Sequence, residues 1–223
     1  MNSRSLRPGR RLLAAVVLGL LVLPTGCAEK QVSEGIYLAQ QGDYQRAIDA
    51  FRAALERSPE SAIAHYNLGY ALSADARTKA ASGRFEGTTE SMREASRRFG
   101  EAIALDPDRY ATEVATARQF NFTELYNLAI DTSRRGALDD ADRILRLAAI
   151  ATDDALNAQR VRVLRLQIEM SQALATGGAE ARERYMRVLA ELEGIKEDGL
   201  ADDALVDEIE NTLARARALI GVR

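Results

Sequence analysis

The chain holds one histidine, His65, and one cysteine, Cys27. A single residue of each type cannot build a multi-histidine metal site, nor a histidine–cysteine pair with a second reactive thiol. A cation would have to use the acidic clusters Asp139-Asp140-Asp142, Asp153-Asp154 or Asp202-Asp203. Their spacing does not fit a twelve-residue calcium loop. Each cluster precedes or opens an expected helix, where negative charge interacts well with the positive helix end. No Gly-rich phosphate loop ending in Lys-Ser or Lys-Thr is present, and no Gly-x-Ser-x-Gly. The placement of Asp and Glu does not favour a carboxylate-pair hydrolase. No catalytic residue, metal or cofactor is therefore expected. The chemistry on offer is recognition. Tyr66-Asn67-Leu68-Gly69 and Tyr126-Asn127-Leu128-Ala129 repeat one pattern. Tyrosine supplies flat contact area and a hydroxyl, and asparagine offers a donor and an acceptor to an extended backbone.

The elements that must position these residues follow from a second pattern. Gly35, Ala47 and Ala54 are spaced twelve and then seven apart, as are Ala129, Ala141 and Ala148. Gly69, Ala95 and Ala102 follow the same rule with fourteen extra residues in the first gap. A bulky residue stands four after each middle alanine: Phe51, Phe99 and Leu145. Helix axes 8–10 Å apart leave little room at their crossing, so small residues belong there and larger ones fill in beside them. Such self-similarity predicts stacked helical hairpins, which commonly bind other macromolecules. Composition agrees: 47% hydrophobic, 28% charged and only 5% aromatic. No stretch alternates as a strand would, so the expected class is all-α.

Local signals divide the chain. A helix over Ser33–Gln41 is followed by the Gly42-Asp43 break and a helix over Tyr44–Arg57. The segment Gly42-Asp43-Tyr44 through Ala47, Phe51, Ala54 and Pro59 resembles the second half of a tetratricopeptide repeat. Ala62-Ile63-Ala64-His65-Tyr66-Asn67-Leu68-Gly69-Tyr70 is similar to that family's first helix. The resemblance implies a right-handed solenoid over 33–193. Its units are about 33–59, 62–107, 122–155 and a degenerate 156–193, with a capping helix over 200–221. The fourteen added residues near 75–91 predict two extra turns on each helix of unit two, with a tip at Ser82–Thr88 and Thr88 or Thr89 as cap; a long loop is the alternative. Asp108–Asn121 is expected as a connector, with Val114, Ala117 and Phe120 facing together. Val161, Leu164, Ile168 and Leu174 are expected on one side of the helix over Leu156–Ala175. A second helix runs to about Leu192, and Asp202 or Asp203 caps the last.

In that family the first helices of successive repeats line a concave surface that holds a peptide or a helix. The matching positions here are Val32, Ile36 and Ala39, then Ile63, Tyr66, Asn67, Tyr70 and Ser73. In unit three they are Thr123, Tyr126, Asn127, Ile130 and Arg134. A subfamily that grips chaperone tails uses a clamp of Lys, Arg and Asn on a terminal carboxylate. Only Asn67 matches it; Val32, Ile36, Thr123 and Asn127 stand at the other clamp places. His65 occupies a position that packs on the neighbouring hairpin.

The N-terminus is a different object. Arg4, Arg7, Arg10 and Arg11 precede an uninterrupted apolar run from Leu12 to Leu23, too short to span a bilayer comfortably. Pro24-Thr25-Gly26-Cys27 follows, with a small residue before the cysteine, and resembles the lipobox of bacterial lipoproteins. The resemblance implies a signal peptide over 1–26, a lipid on Cys27 and a tether over 27–32. Ala28 after the cysteine implies the outer membrane, facing the periplasm. Removing the four leader arginines from a formal charge of −3 leaves about −7. A general nucleic-acid surface is not expected from that balance. The expected role is a lipid-anchored, non-enzymatic adaptor for an envelope protein or peptide. A homo-oligomer built through the 75–91 hairpin is the alternative, and an envelope hydrolase a more distant one.

Overall fold

The computed structural model describes residues 25–197, 199 and 202–221. These residues form nine α-helices in antiparallel hairpins: α1 (Thr25–Gln40), α2 (Tyr44–Arg57), α3 (Ala62–Ala81), α4 (Thr88–Leu105), α5 (Pro107–Arg134), α6 (Leu138–Ala151), α7 (Ala155–Thr176), α8 (Gly178–Glu197) and α9 (Asp203–Ile220). The fold is an all-α solenoid. Each odd-numbered helix from α1 to α7 packs on the even-numbered helix that follows it, and each from α3 to α9 on the odd-numbered helix before it. The signal-peptide assignment falls almost wholly outside the described residues. Among those described, no helix is long and apolar enough to cross a membrane.

Helix boundaries have local causes. Asp43 accepts from the backbone N–H of Arg46 at the start of α2, Ser61 from Ala64 in α3, and Asp154 from Asn157 in α7. Asp202 caps α9, accepting from Ala204 and Leu205. Side chains that satisfy the otherwise unpaired first-turn N–H groups are what let a helix begin at these points. Gly42, with φ of 77°, turns the chain between α1 and α2.

The small residues meet their large partners across each hairpin. A Cβ added to Gly35 would fall 2.5 Å from Phe51 Cε1, and one on Gly69 2.9 Å from the Phe99 ring. In unit three Ala129 replaces the glycine, and Leu145 replaces the phenylalanine within the same core. A larger ring goes with a smaller opposing residue, as close packing of the crossing requires.

Several expectations are corrected. The 27–32 tether is helical and belongs to α1, with Ala28 and Val32 buried; nothing between Ala28 and Ser33 breaks a helix. Thr88 does not cap α4. Gly87, with φ of 70°, occupies that place, and the Thr88 hydroxyl donates to Phe85 O at 2.8 Å. Leu174 is exposed, because α7 buries residues on two sides and ends near it. Helix α8 continues beyond Leu192 to Glu197, with Ile195 buried.

The largest correction concerns the 108–121 connector. It is the first half of α5, a helix of 28 residues, about 42 Å long. Asp106 ends α4 and caps α5, and Pro107 takes the first helical position, where its missing N–H costs nothing. Two cores explain the length. Tyr110, Val114 and Ala117 pack on Phe99 and Ala102 at the base of hairpin two. Phe122, Leu125 and Ala129 pack on Ala76, Ala80 and Met92, in the added turns of that hairpin. The insertion does form a long α3–α4 hairpin, and α5 has grown to cover it. Phe120 does not share the buried stripe of Val114 and Ala117; it is 49% exposed.

Candidate functional site

Helices α1, α3, α5, α7 and α9 pack one on the next as a single layer of the solenoid, the layer that the family resemblance makes the inner face. The sequence assigned its recognition residues to this face, and the structure divides them by what they touch. Ile36 and Ile63 are half-buried and pack on the core shared by the first two hairpins. Ile130 packs similarly on the central core. Asn67 donates its side-chain amide to Ile63 O at 2.7 Å, one turn back on its own helix. That bond commits one of the two amide N–H donors that an extended peptide could use. Tyr70 is exposed, and so are Asn127 and Arg134. Arg134 meets Asp131 at 3.5 Å in a solvent-exposed pair, an interaction of little energetic weight. The backbone of Cys27 lies in α1.

Tyr66 and Tyr126 do not stand side by side, although their quartets match. Tyr66 lies against Phe99 and Tyr110, with ring centroids 5.9 and 5.2 Å away. Tyr126 stacks on Phe122 at 5.4 Å. The first half of α5 intervenes, so Tyr110 is the neighbour of Tyr66 across the hairpins. Burial raises the pKa of the Tyr66 hydroxyl, and the charge of Glu113 adds to the effect. Burial pushes the Tyr126 hydroxyl up to about 12, with Glu208 contributing and Arg160 opposing. Both tyrosines stay neutral at physiological pH and act as partly covered aromatic surface.

Two further inner-face residues lie in segments read from the sequence as insertion and connector. Arg77 stands seven residues after Tyr70 on α3, two helical turns on and therefore on the same face. Its guanidinium sits 4.7 Å from the centroid of the exposed Phe120 ring on α5. This is the geometry of a cation–π contact. Burial lowers the Arg77 pKa, while Tyr70, Glu124 and Tyr44 pull it back toward its usual value. A signal for the helical first half of α5 existed in the sequence. Asp106-Pro107 is a helix start, and Tyr110, Val114 and Ala117 continue at helical spacing.

The other polar features are structural. His65 is buried; Nε2 lies 2.7 Å from Pro59 O and Nδ1 2.9 Å from the Glu101 carboxylate. It fastens the α2–α3 turn to α4. A cleft of about 1150 Å³ opens between α6, α7 and α8. Many of its charges are already matched: Asp142 takes Arg146 and Arg165 at 2.8 Å each, and Glu169 takes Arg187 at 3.5 Å. Burial alone would raise the Asp142 pKa, but these two guanidiniums outweigh it and hold the carboxyl below its usual value. Asp153 pairs with Arg118 and Asp202 with Arg160. Among the described residues no group of three metal-ligating side chains converges.

No curated protein matches the chain. Residues 32–84, which cover most of α1, all of α2 and α3 and the start of the turn after α3, match the family model of the tetratricopeptide repeat.

Proposed function

We propose that the protein is a non-enzymatic adaptor whose inner face holds a segment of a partner protein, and that a lipid on Cys27 anchors it in the bacterial envelope. The observation that carries the reading is the exposed aromatic surface of Tyr70 and Phe120, with Arg77 reaching over the Phe120 ring, on the face lined by α1, α3 and α5. Exposed aromatic rings beside an arginine are the residue types that dominate binding energy at protein interfaces. The tetratricopeptide match over 32–84 supports the same reading, since such repeats serve protein interaction. The lipobox resemblance at Pro24–Cys27 supports the anchor, and Ala28 supports the outer membrane. The expected site narrows to Tyr70, Asn127 and Arg134, joined by Arg77 and Phe120. Tyr66, Tyr126, Ile36, Ile63 and Ile130 are partly buried and pack on the cores beneath the same helices.

The oligomer alternative is weakened by one observation. The apolar residues of the added hairpin, Ala76, Ala80 and Met92, are buried against α5 and α6 of the same chain. Little apolar surface is left there for a second copy.

A photo-crosslinking amino acid placed at Tyr70 in living cells tests the adaptor. A discrete adduct is expected from Tyr70 and none from Arg97, which is exposed on α4. Equal adducts from both positions, or none from either, would refute it.

A further inference from the structure

The cations on and beside hairpin two commonly have counterions. Lys79 pairs with Asp75 at 2.7 Å, Arg52 with Glu94 at 2.8 Å, and Arg98 with both Glu94 and Glu101. Arg77 differs. Its Nε–H is shielded from solvent and meets no acceptor. Among the described residues no carboxylate forms an ion pair with it; Glu124 is felt only as a nearby charge. Arg98 also has an unmet Nε–H, but its terminal nitrogens are paired. A guanidinium offers five N–H donors in a rigid plane, and a carboxylate can accept two of them side by side. A buried donor left without an acceptor is costly. No ion pair holds the Arg77 guanidinium among the described residues, so its cationic end is left to an anionic acceptor from outside.

The surroundings describe what carries that acceptor. Phe120, on α5, lies beneath the guanidinium and is 49% exposed; Tyr70, on α3, is 39% exposed. Tyr44, at the start of α2, is within electrostatic range from unit one. Exposed aromatic surface thus lies on two sides of the cation, Phe120 on α5 and Tyr70 two turns back along α3. A chain end would need only one side. A segment crossing the face would use both and would place a side chain, rather than its terminus, at Arg77. Arg77 lies in the fourteen-residue insertion and Phe120 in the first half of α5, so the pair exists because hairpin two is long.

We infer that Arg77 receives the side-chain carboxylate of an Asp or Glu inside an extended partner segment, whose apolar neighbours lie on Phe120 and Tyr70. This rests on the adaptor reading above and specifies its ligand.

The test uses the full chain in detergent and pools of short fluorescent peptides, acetylated and amidated, with one central Glu among mixed Leu, Phe, Tyr and Ser. Twin pools carry Gln instead, and a third carries Gln with a free terminal carboxylate. Fluorescence anisotropy is expected to show the Glu pool binding about tenfold or more tightly than its Gln twin. Arg77→Met keeps the stem over Phe120 and should erase that difference with an unchanged circular dichroism spectrum. Arg77→Lys should restore it in part, since charge returns without the planar donor pair. The Glu and Gln pools are compared on the unaltered protein first, so a misfolded variant leaves the decision intact. Equal binding of the two pools, or a Glu preference that survives in Arg77→Met, overturns the inference. Tight binding of only the free-carboxylate pool would assign Arg77 to a chain terminus and overturns it too. Self-association by light scattering that Arg77→Met abolishes would assign the face to a second copy, with the same consequence. Glu and Gln pools that bind equally, and that Phe120→Ala weakens equally, leave the adaptor standing without its acidic ligand. No peptide binding together with no adduct from Tyr70 removes both.

Discussion

Gly35, Gly69, Gly100 and Gly194 lie in helix interiors, and the structure gives them opposite roles. Gly35 and Gly69 sit at hairpin crossings, whereas a Cβ added at Gly100 or Gly194 would meet nothing within 4 Å. Replacing a glycine by alanine in a helix interior gains about 1 kcal/mol from backbone entropy and propensity. Gly100→Ala and Gly194→Ala should keep that gain and raise the melting temperature by about 2–4 °C each. At Gly35 the new carbon would lie 2.5 to 2.8 Å from three atoms of the Phe51 ring. Comfortable carbon–carbon contact is about 3.5–4.0 Å, so the overlap is about 1 Å. Phe51 is fully buried and cannot swing into solvent. Overpacking of this kind costs about 1–3 kcal/mol, which exceeds the propensity gain. Gly35→Ala should therefore destabilise by up to about 2 kcal/mol. Gly69→Ala should act similarly, because Phe99 closes one side and Ala95 O, at 3.1 Å, the other.

Thermal and urea melts followed by circular dichroism measure all four. The Ala129–Leu145 pairing of unit three suggests a sharper form. Phe51→Leu should cost stability alone but much less in the Gly35→Ala background, a coupling that a double-mutant cycle reads directly. If Gly35→Ala stabilises as much as Gly100→Ala does, or if the cycle is additive, the crossing is not packed as described.

Ala102 is fully buried between α4 and α5, so Ala102→Glu should destabilise by about 3 kcal/mol or more, visible as an early urea midpoint. The Tyr126 hydroxyl is raised to about 12, so the unfolded chain loses that proton near 10 while the folded chain still holds it. Its contribution is complete below pH 10 and is lost as pH rises from 10 to 12; Tyr126→Phe should flatten the fall of the urea midpoint over that window. Cys27→Ala should move the protein from the membrane to the soluble fraction on cell fractionation, and unchanged detergent dependence would refute the lipid anchor.

What could be read from the sequence alone is local. Gly42-Asp43 stops one helix and starts the next because a positive φ and a side-chain cap depend only on neighbouring residues. The recurring small residues mark the crossings because a helix–helix contact admits only certain volumes, whichever chain supplies them. From these came the hairpins, the long α3–α4 arm and the terminal α9. The site was legible only in part. Tyr70 was assigned to a binding face through its resemblance to the repeat family's first helix, and the structure leaves it exposed. The uses of Asn67, Tyr66 and Tyr126 could not be read there, because they depend on whether a backbone carbonyl, Tyr110 or Phe122 lies within reach. The meeting of Arg77 with Phe120 was decided by tertiary structure alone. It requires the extra turns of hairpin two to be matched in length by the first half of α5, two stretches that carry no shared motif. Only their packing against the same cores sets the register that brings the guanidinium over the ring.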